Sequence, residues 1–221
     1  MAFLEVKELF KKEGDTDAVN GISFSQQPFQ KIGIAGETGS GKTTLAQLLL
    51  RMYDPGQGTI SLDGTDIRSM DLQHLRMQVS YVPQDIFLFS DTIENNIGFG
   101  LEETSHESVR SAAFAASVDK EIDGFEKQYS TLVGERGVTL SGGQKQRISI
   151  ARALIKEPKI MVFDDCLSAV DAKTEKTIIA NLDHYLKNKT AIFITHRICS
   201  LLSFDKIVVM EDGKIVEMGT H

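Results

Sequence analysis

The chain has 221 residues, 41% hydrophobic and 25% charged, which is the balance of a soluble globular protein long enough for one large domain or a core with an inserted subdomain. A formal net charge of −7 argues against broad nucleic-acid binding, which needs a positive field. The N-terminal MAFLEVKELFKKEG is too charged for a signal peptide, no stretch approaches the ~18 apolar residues of a membrane span, and Cys166 and Cys199 fit no metal spacing and are expected to be reduced, cytosolic thiols.

In chain order, FLEVKELF and VNGISFS are strand-like and separated by charge, as in an antiparallel edge layer. KIGIAG (31–36) is a short apolar strand running into a Gly-rich turn. Leu45, Leu48, Leu49 and Met52 then fall at helical spacing. DPGQGTISLDG reads as turn, strand, turn, and QVSYVPQ as another short strand. Residues 85–157 are mostly helical, with SVRSAAFAAS and GGQKQRISIARALIK as the clearest helices. Strand and helix then alternate: KIMVFDD, a helix over about 172–188, TAIFIT, a short helix, KIVVM and KIVEMG. Alternation of this kind predicts a parallel α/β sheet, with the central helical stretch inserted into it.

GETGSGKT fits the phosphate-loop pattern, and it sits where that pattern has meaning, after a strand and before a helix. Its residues are Gly36, Glu37, Thr38, Gly39, Ser40, Gly41, Lys42 and Thr43, with Thr44 next in the helix. The glycines let successive N–H groups turn toward phosphate oxygens, and the helix N-terminus adds partial positive charge. Lys42 would neutralise the β- and γ-phosphate oxygens of ATP, and the Thr43 hydroxyl would ligate Mg²⁺.

LSGGQ at 140–144, after the phosphate loop and before KIMVFDD, completes an ordered set of motifs by which the chain resembles the ATP-binding cassette (ABC) family nearly end to end. The resemblance implies a P-loop NTPase (RecA-like) α/β core with an antiparallel β layer, residues 1–84 and 158–221. The inserted helical subdomain would be residues 85–157. It implies a head-to-tail dimer with ATP held between the phosphate loop of one copy and Ser141, Gly142, Gly143 and Gln144 of the other. Gln84, in YVPQD, matches the glutamine that reaches Mg²⁺ and the attacking water. Asp164 would hold Mg²⁺ at the end of its strand. Asp171 matches the loop that crosses the dimer interface, and His196, in FITHR, the histidine that contacts the γ-phosphate. His74, His106, His184 and His221 match nothing and are expected to face solvent.

FLFSDTIENNI (87–97) and TLVGERG (131–137) resemble the exporter branch, and Glu135 and Arg136 would touch the coupling helices of a transmembrane domain. The expected location is the cytoplasmic face of the membrane. A separate importer subunit and a soluble ABC ATPase acting on DNA or ribosomes are the alternatives. The chain starts without membrane spans and stops at EMGTH, short of a terminal helix, so either this is an excised domain, which is the expectation, or the spans belong to a separate chain.

Two departures stand out. Asp165 occupies the family's catalytic Glu position, beside Lys42, Gln84 and His196 as the expected catalytic set. One C–C bond shorter, its carboxylate would sit roughly 1–1.5 Å back, and a shift near 1 Å can cost on the order of 10²-fold in rate. FDDCLSAVD therefore resembles the impaired half of a heterodimeric exporter. The second departure is Glu13, where the family places an adenine-stacking aromatic; Phe10 is out of register by three residues, and weak nucleotide affinity is expected.

Overall fold

In the computed structural model, which describes residues 3–134, 139–167, 172–196 and 203–220, the chain opens on a hairpin of β1 (Leu4–Glu13) and β2 (Thr16–Gln26). Leu4 and Val6 point inward by strand alternation. Glu8 then takes a left-handed φ of 44° and the pairing register shifts, so the next buried residue is Leu9. A bulge of this kind re-aims a strand without ending it. β3 (Lys31–Gly36) leads into α1 (Lys42–Leu49), followed by β4 (Gln57–Leu62), β5 (Thr65–Asp66), α2 (Leu72–Gln78) and β6 (Val79–Val82). Then come α3 (Ile93–Ile97), α4 (His106–Ala115), α5 (Asp119–Asp123) and α6 (Gly142–Leu154). The chain returns through β7 (Ile160–Asp164), α7 (Ala172–Tyr185), β8 (Thr190–Thr195), β9 (Lys206–Glu211) and β10 (Lys214–Gly219).

Two sheets result. The smaller is antiparallel along its length, in the order β2-β1-β4-β5. The larger runs β10-β9-β3-β8-β7-β6, with β3 parallel to β8 and β9, β7 parallel to β8, and β10 antiparallel to β9. All of β7 is buried, and all of β8 except Thr195. Near-continuous apolar runs are what central parallel strands require, because both of their faces are covered.

Contacts divide the chain into two compact units: Met1–Tyr81 with Lys159–Asp165 and Leu186–His221, and Val82–Pro158 with Cys166–Tyr185. The core of the first includes Val6, Ile32, Ile34, Leu45, Leu48, Ile60, Val162 and Ile192. In the second, Ile93, Ile97, Val109, Ile122, Tyr129, Ile148, Leu154, Ile178 and Leu182 are buried.

Each of α2, α3, α4 and α6 starts where a side chain caps it: Asp71, Thr92, Ser105 and Ser141 accept from the N–H groups of His74, Asn95, Ser108 and Gln144. The FLFSDTIENNI segment is held by buried Asn96. Its side-chain N–H groups donate to the carbonyls of Phe89 and Thr92, and its Oδ1 accepts from Phe89 N–H and Arg152 Nη2.

α1 is shorter than its apolar spacing suggests, which corrects the placement of Met52 on it. Leu50 caps the helix, Arg51 turns left-handed at φ 48°, and Met52 is 47% exposed. The chain must leave the helix axis here to bring Gly56 N–H to the Phe10 carbonyl at 2.8 Å and enter β4 beside β1. Leu48→Ala is therefore expected to cost about 2–5 kcal/mol of stability. Met52→Ala should cost under about 0.5 kcal/mol. Denaturant titration of both variants checks this, and a large loss at Met52 would contradict the early end of the helix.

Candidate active site

Gly36 closes β3, and Gly41, at φ 93°, is the N-cap of α1 with no side-chain capping bond. A Cβ at Gly41 would lie 2.0 Å from the Ala18 carbonyl oxygen, and one at Gly36 would lie 2.3 Å from that of Met210. The loop is thus threaded through a space that only glycine backbone fits. Ser40 N–H donates to Glu37 O at 3.2 Å, and Gly213 N–H to Ser40 O at 3.2 Å, which fixes the turn. The helix-opening N–H groups stay oriented for an anion.

Lys42 turns back into this loop. Its Nζ donates to the carbonyls of Gly36 at 2.7 Å and Glu37 at 2.6 Å, and to Ser40 Oγ at 3.0 Å. Burial pushes the ammonium below the usual lysine range, and the charges of Asp165 and Asp164 pull it back up. Glu37, Thr38, Gly39 and Thr43 are exposed, while Ser40, Lys42 and Thr44 are buried.

Asp164, at the end of β7, is 1% exposed. Its Oδ2 accepts from Tyr81 Oη at 2.9 Å, and the Thr43 hydroxyl also bonds it. Burial pushes the carboxyl above the usual range; the Tyr81 and Thr43 bonds and Lys42 oppose that, while Asp165 adds to it. A buried carboxylate beside a threonine hydroxyl and a phosphate loop suits Mg²⁺, which takes one or two protein oxygens and fills its remaining positions with phosphate and water. Among the described residues no group of three or more His, Cys, Asp or Glu side chains is placed to hold a metal ion.

Asp165 is turned the other way. It has a left-handed φ of 44°, and its N–H donates to Ile194 O at 2.9 Å. Both carboxylate oxygens lie 2.9 Å from His196 Nδ1. The imidazole is therefore held through one nitrogen, with Nε2 directed away from the carboxylate.

In the second unit, Ser141 and Gln144 form a reciprocal capping box, Ser141 Oγ accepting from Gln144 N–H at 3.2 Å and Gln144 Oε1 from Ser141 N–H at 2.9 Å. Ser141 and Gly142 are exposed, and Gly143 is half-buried. Gln84 is exposed on the bend after β6. Asp171, Glu135, Arg136, Cys199 and His221 lie outside the described residues. Cys166 is buried and in no disulfide among the described residues. His74 and His184 are exposed, and His106 Nδ1 pairs with Glu94 at 2.9 Å. Phe10 packs over Gly21 of the neighbouring strand. Tyr81 was not legible as a site residue: YVPQ reads as strand, and only the adjacency of β6 and β7 gives its hydroxyl a role.

The family model described as ABC transporter matches residues 19–168. The chain is 48% identical over 206 residues to "Probable multidrug resistance ABC transporter ATP-binding/permease protein YheI" of Bacillus subtilis (strain 168), covering 93% of this chain and 35% of that protein. It is 43% identical over 219 residues to "ATP-dependent lipid A-core flippase" of Saccharophagus degradans (strain 2-40 / ATCC 43961 / DSM 17024), covering 99% of this chain and 37% of that protein. A solved structure, "Structure of a bacterial Atm1-family ABC exporter with ATP bound", superposes with a TM-score of 0.94 at 38% identity, covering 99% of this chain and 38% of that one. The chain thus spans little more than a third of the length of these relatives.

The burial of Asp164 has a consequence for stability. Its folded-state pKa is raised, so its contribution is fully present below the ordinary carboxylate range and is lost as pH rises through the raised value. At neutral pH the ionised group therefore opposes folding. Asp164→Asn should raise the thermal midpoint at pH 7, and the gap to the parent should shrink as the pH falls toward 4, the ordinary carboxylate range. The same variant should lose Mg²⁺-dependent nucleotide binding. A midpoint at pH 7 equal to or below the parent's would refute the burial argument.

Proposed function

The chain belongs to the ABC transporter family, and from that membership we propose that it is the ATP-binding and ATP-hydrolysing domain that powers substrate export. It does so at the cytoplasmic face of a membrane, by closing head to tail on a second such domain. The observation that carries the reading is the phosphate loop folded around Lys42 beside the buried Asp164 and the Thr43 hydroxyl that bonds it.

In this reading ATP enters with its phosphates at the loop. Lys42 exchanges its carbonyl partners for β- and γ-phosphate oxygens, and the N–H groups of the loop and of α1 hold the rest of the charge. Asp164 and Thr43 would hold Mg²⁺, with Gln84 expected to reach it, and the bound ion would supply neutralisation of phosphate charge. Water attacks the γ-phosphorus, its bond to the bridging oxygen breaks, and ADP leaves with the electron pair. The proton passes toward Asp165.

Both oxygens of Asp165 lie against His196 Nδ1, so this short carboxylate orients the imidazole and presents its Nε2 to the γ-phosphate, but reaches poorly toward the water. That supports a slow site in this chain, paired with a faster one in a non-identical partner. Ser141, exposed at the start of α6, would complete the partner's site across the interface.

The helical unit carries a surface suited to a transmembrane partner. Phe87, Phe89 and Phe99 are exposed at 66%, 37% and 48%, and Arg152 lies over the last two rings. A cavity of about 320 Å³ opens beside them, between Phe87, Val133 and Leu140. An apolar cluster of this kind offers the coupling helices of a membrane domain a seat. Among the described residues no helix is long and apolar enough to cross a membrane.

In the assembled transporter, Ser141→Asp keeps the helix cap but sets a carboxylate against the γ-phosphate bound by the partner. Total steady-state ATPase activity should fall by about tenfold or more. Asp165→Asn, confined to the slow site, should leave most of that activity. Equal damage from the two variants would mean that Asp165 is a working base and that the pairing is symmetric.

A further inference from the structure

At the phosphate-loop end of α1, Thr43 and Thr44 open onto a cavity of about 620 Å³ whose other walls are Lys11, Lys12, Glu13, Gln47 and Tyr53. A nucleotide held by its phosphates at Lys42 must lay its ribose and base on adjoining surface. This cavity is continuous with the loop through the two threonines.

Its wall is not neutral. Thr44 Oγ1 donates to Glu13 Oε1 at 2.9 Å, which fixes the carboxylate at the edge of the cavity, where Glu13 remains exposed. The Tyr53 ring is 54% exposed. The Lys11 ammonium lies 5.3 Å from its centroid and donates to the Asp54 carbonyl at 3.2 Å. The cavity therefore combines an aromatic ring, a fixed acceptor-only group and two ammonium groups.

Those groups distinguish the purines. Adenine presents one amino donor beside the N1 lone pair, and a carboxylate repels the latter. Guanine presents N1–H and N2–H₂ side by side, two donors that an acceptor-only carboxylate takes together, and it offers O6 and N7 to an ammonium. Tyr53 supplies a stacking face, which every base accepts.

We propose, resting on the nucleotide-binding reading above, that this cavity is the base pocket, that Glu13 makes it prefer guanine over adenine nucleoside triphosphates, and that Tyr53 is its stacking ring. The pocket thus turns the departure at Glu13 from a lost contact into a change of substrate preference. Binding remains anchored at Lys42, and only the base end discriminates.

Calorimetric titration of the chain with the Mg²⁺ complexes of GTP, ITP and ATP tests this. GTP should bind about tenfold more tightly than ATP, with ITP, which lacks the 2-amino group, in between. Glu13→Gln keeps an oxygen for Thr44 but loses the charge, and should bring the GTP-to-ATP ratio to about one or below. Tyr53→Ala should weaken both nucleotides by about tenfold and leave their ratio unchanged. Lys42→Ala should weaken all three nucleotides equally. A parent that binds ATP as tightly as GTP, or a ratio that Glu13→Gln does not move, overturns the base assignment and leaves the phosphate site standing. A parent that binds none of the three, or a Lys42→Ala variant that binds all three like the parent, overturns the nucleotide reading and this one with it.

Discussion

Strand β7 buries every one of its residues and so delivers the Asp164 carboxylate to a place that water does not reach. Such a group has to be hydrogen-bonded and charge-compensated or it will take up a proton. The partners that oppose its protonation come from two other parts of the chain. Tyr81, on β6, donates at 2.9 Å; Thr43 and Lys42 belong to the first turn of α1. The sheet order β8-β7-β6 brings the first of these alongside. The phosphate loop brings the others. Placing one carboxylate therefore ties the sheet order to the loop conformation.

The loop in turn depends on elements that contribute no chemistry. Ala18, on β2, and Met210, on β9, stand so close to Gly41 and Gly36 that a methyl group would collide with their carbonyl oxygens. Gly213, in the turn between β9 and β10, donates to Ser40 O and accepts from Asn20 N–H at 2.8 Å. The last hairpin and the first one thus meet at the loop and hold it open around Lys42. Binding of a polyphosphate is favoured because the oriented N–H groups need no reorganisation, and the rigidity comes from sheet edges near both ends of the chain.

Much of this was readable in the residues. Strand β7 could be found because IMVFD has no polar break before its carboxylate, and β3 because KIGIAG meets the glycines. α6 could be found because Ser141 and Gln144 stand three apart ahead of an amphipathic run. What escaped depends on pairing between distant segments. Met52 continues the helical period of Leu45 and Leu48, but a left-handed Arg51 turns the backbone away first, a demand made by β1–β4 pairing. Tyr81 gains its role only from a neighbouring strand. Glu13 could be seen to depart from a pattern, but its contact with Thr44, 31 positions away, could not.

The departures from the family pattern are not scattered. Lys42, Thr43 and Asp164, proposed above to handle phosphate and metal, keep the expected residue types and are drawn together by hydrogen bonds and charge. In the proposed binding mode the changed residues would lie at the two ends of the nucleotide, Asp165 where water would attack and Glu13 where the base would rest. Phosphate contacts supply affinity before and during reaction alike, so conserving them preserves binding without helping the chemical step. In the proposed mechanism a shortened carboxylate would slow the attack of water, and both of its oxygens lie against His196 Nδ1. A domain altered in this way would still close around a nucleotide and hold its partner's site in register, while turning over its own nucleotide slowly. Its contribution to the assembly would then lie in the duration of the closed state, which is set by how tightly the loop and the base pocket grip and not by how fast Asp165 works.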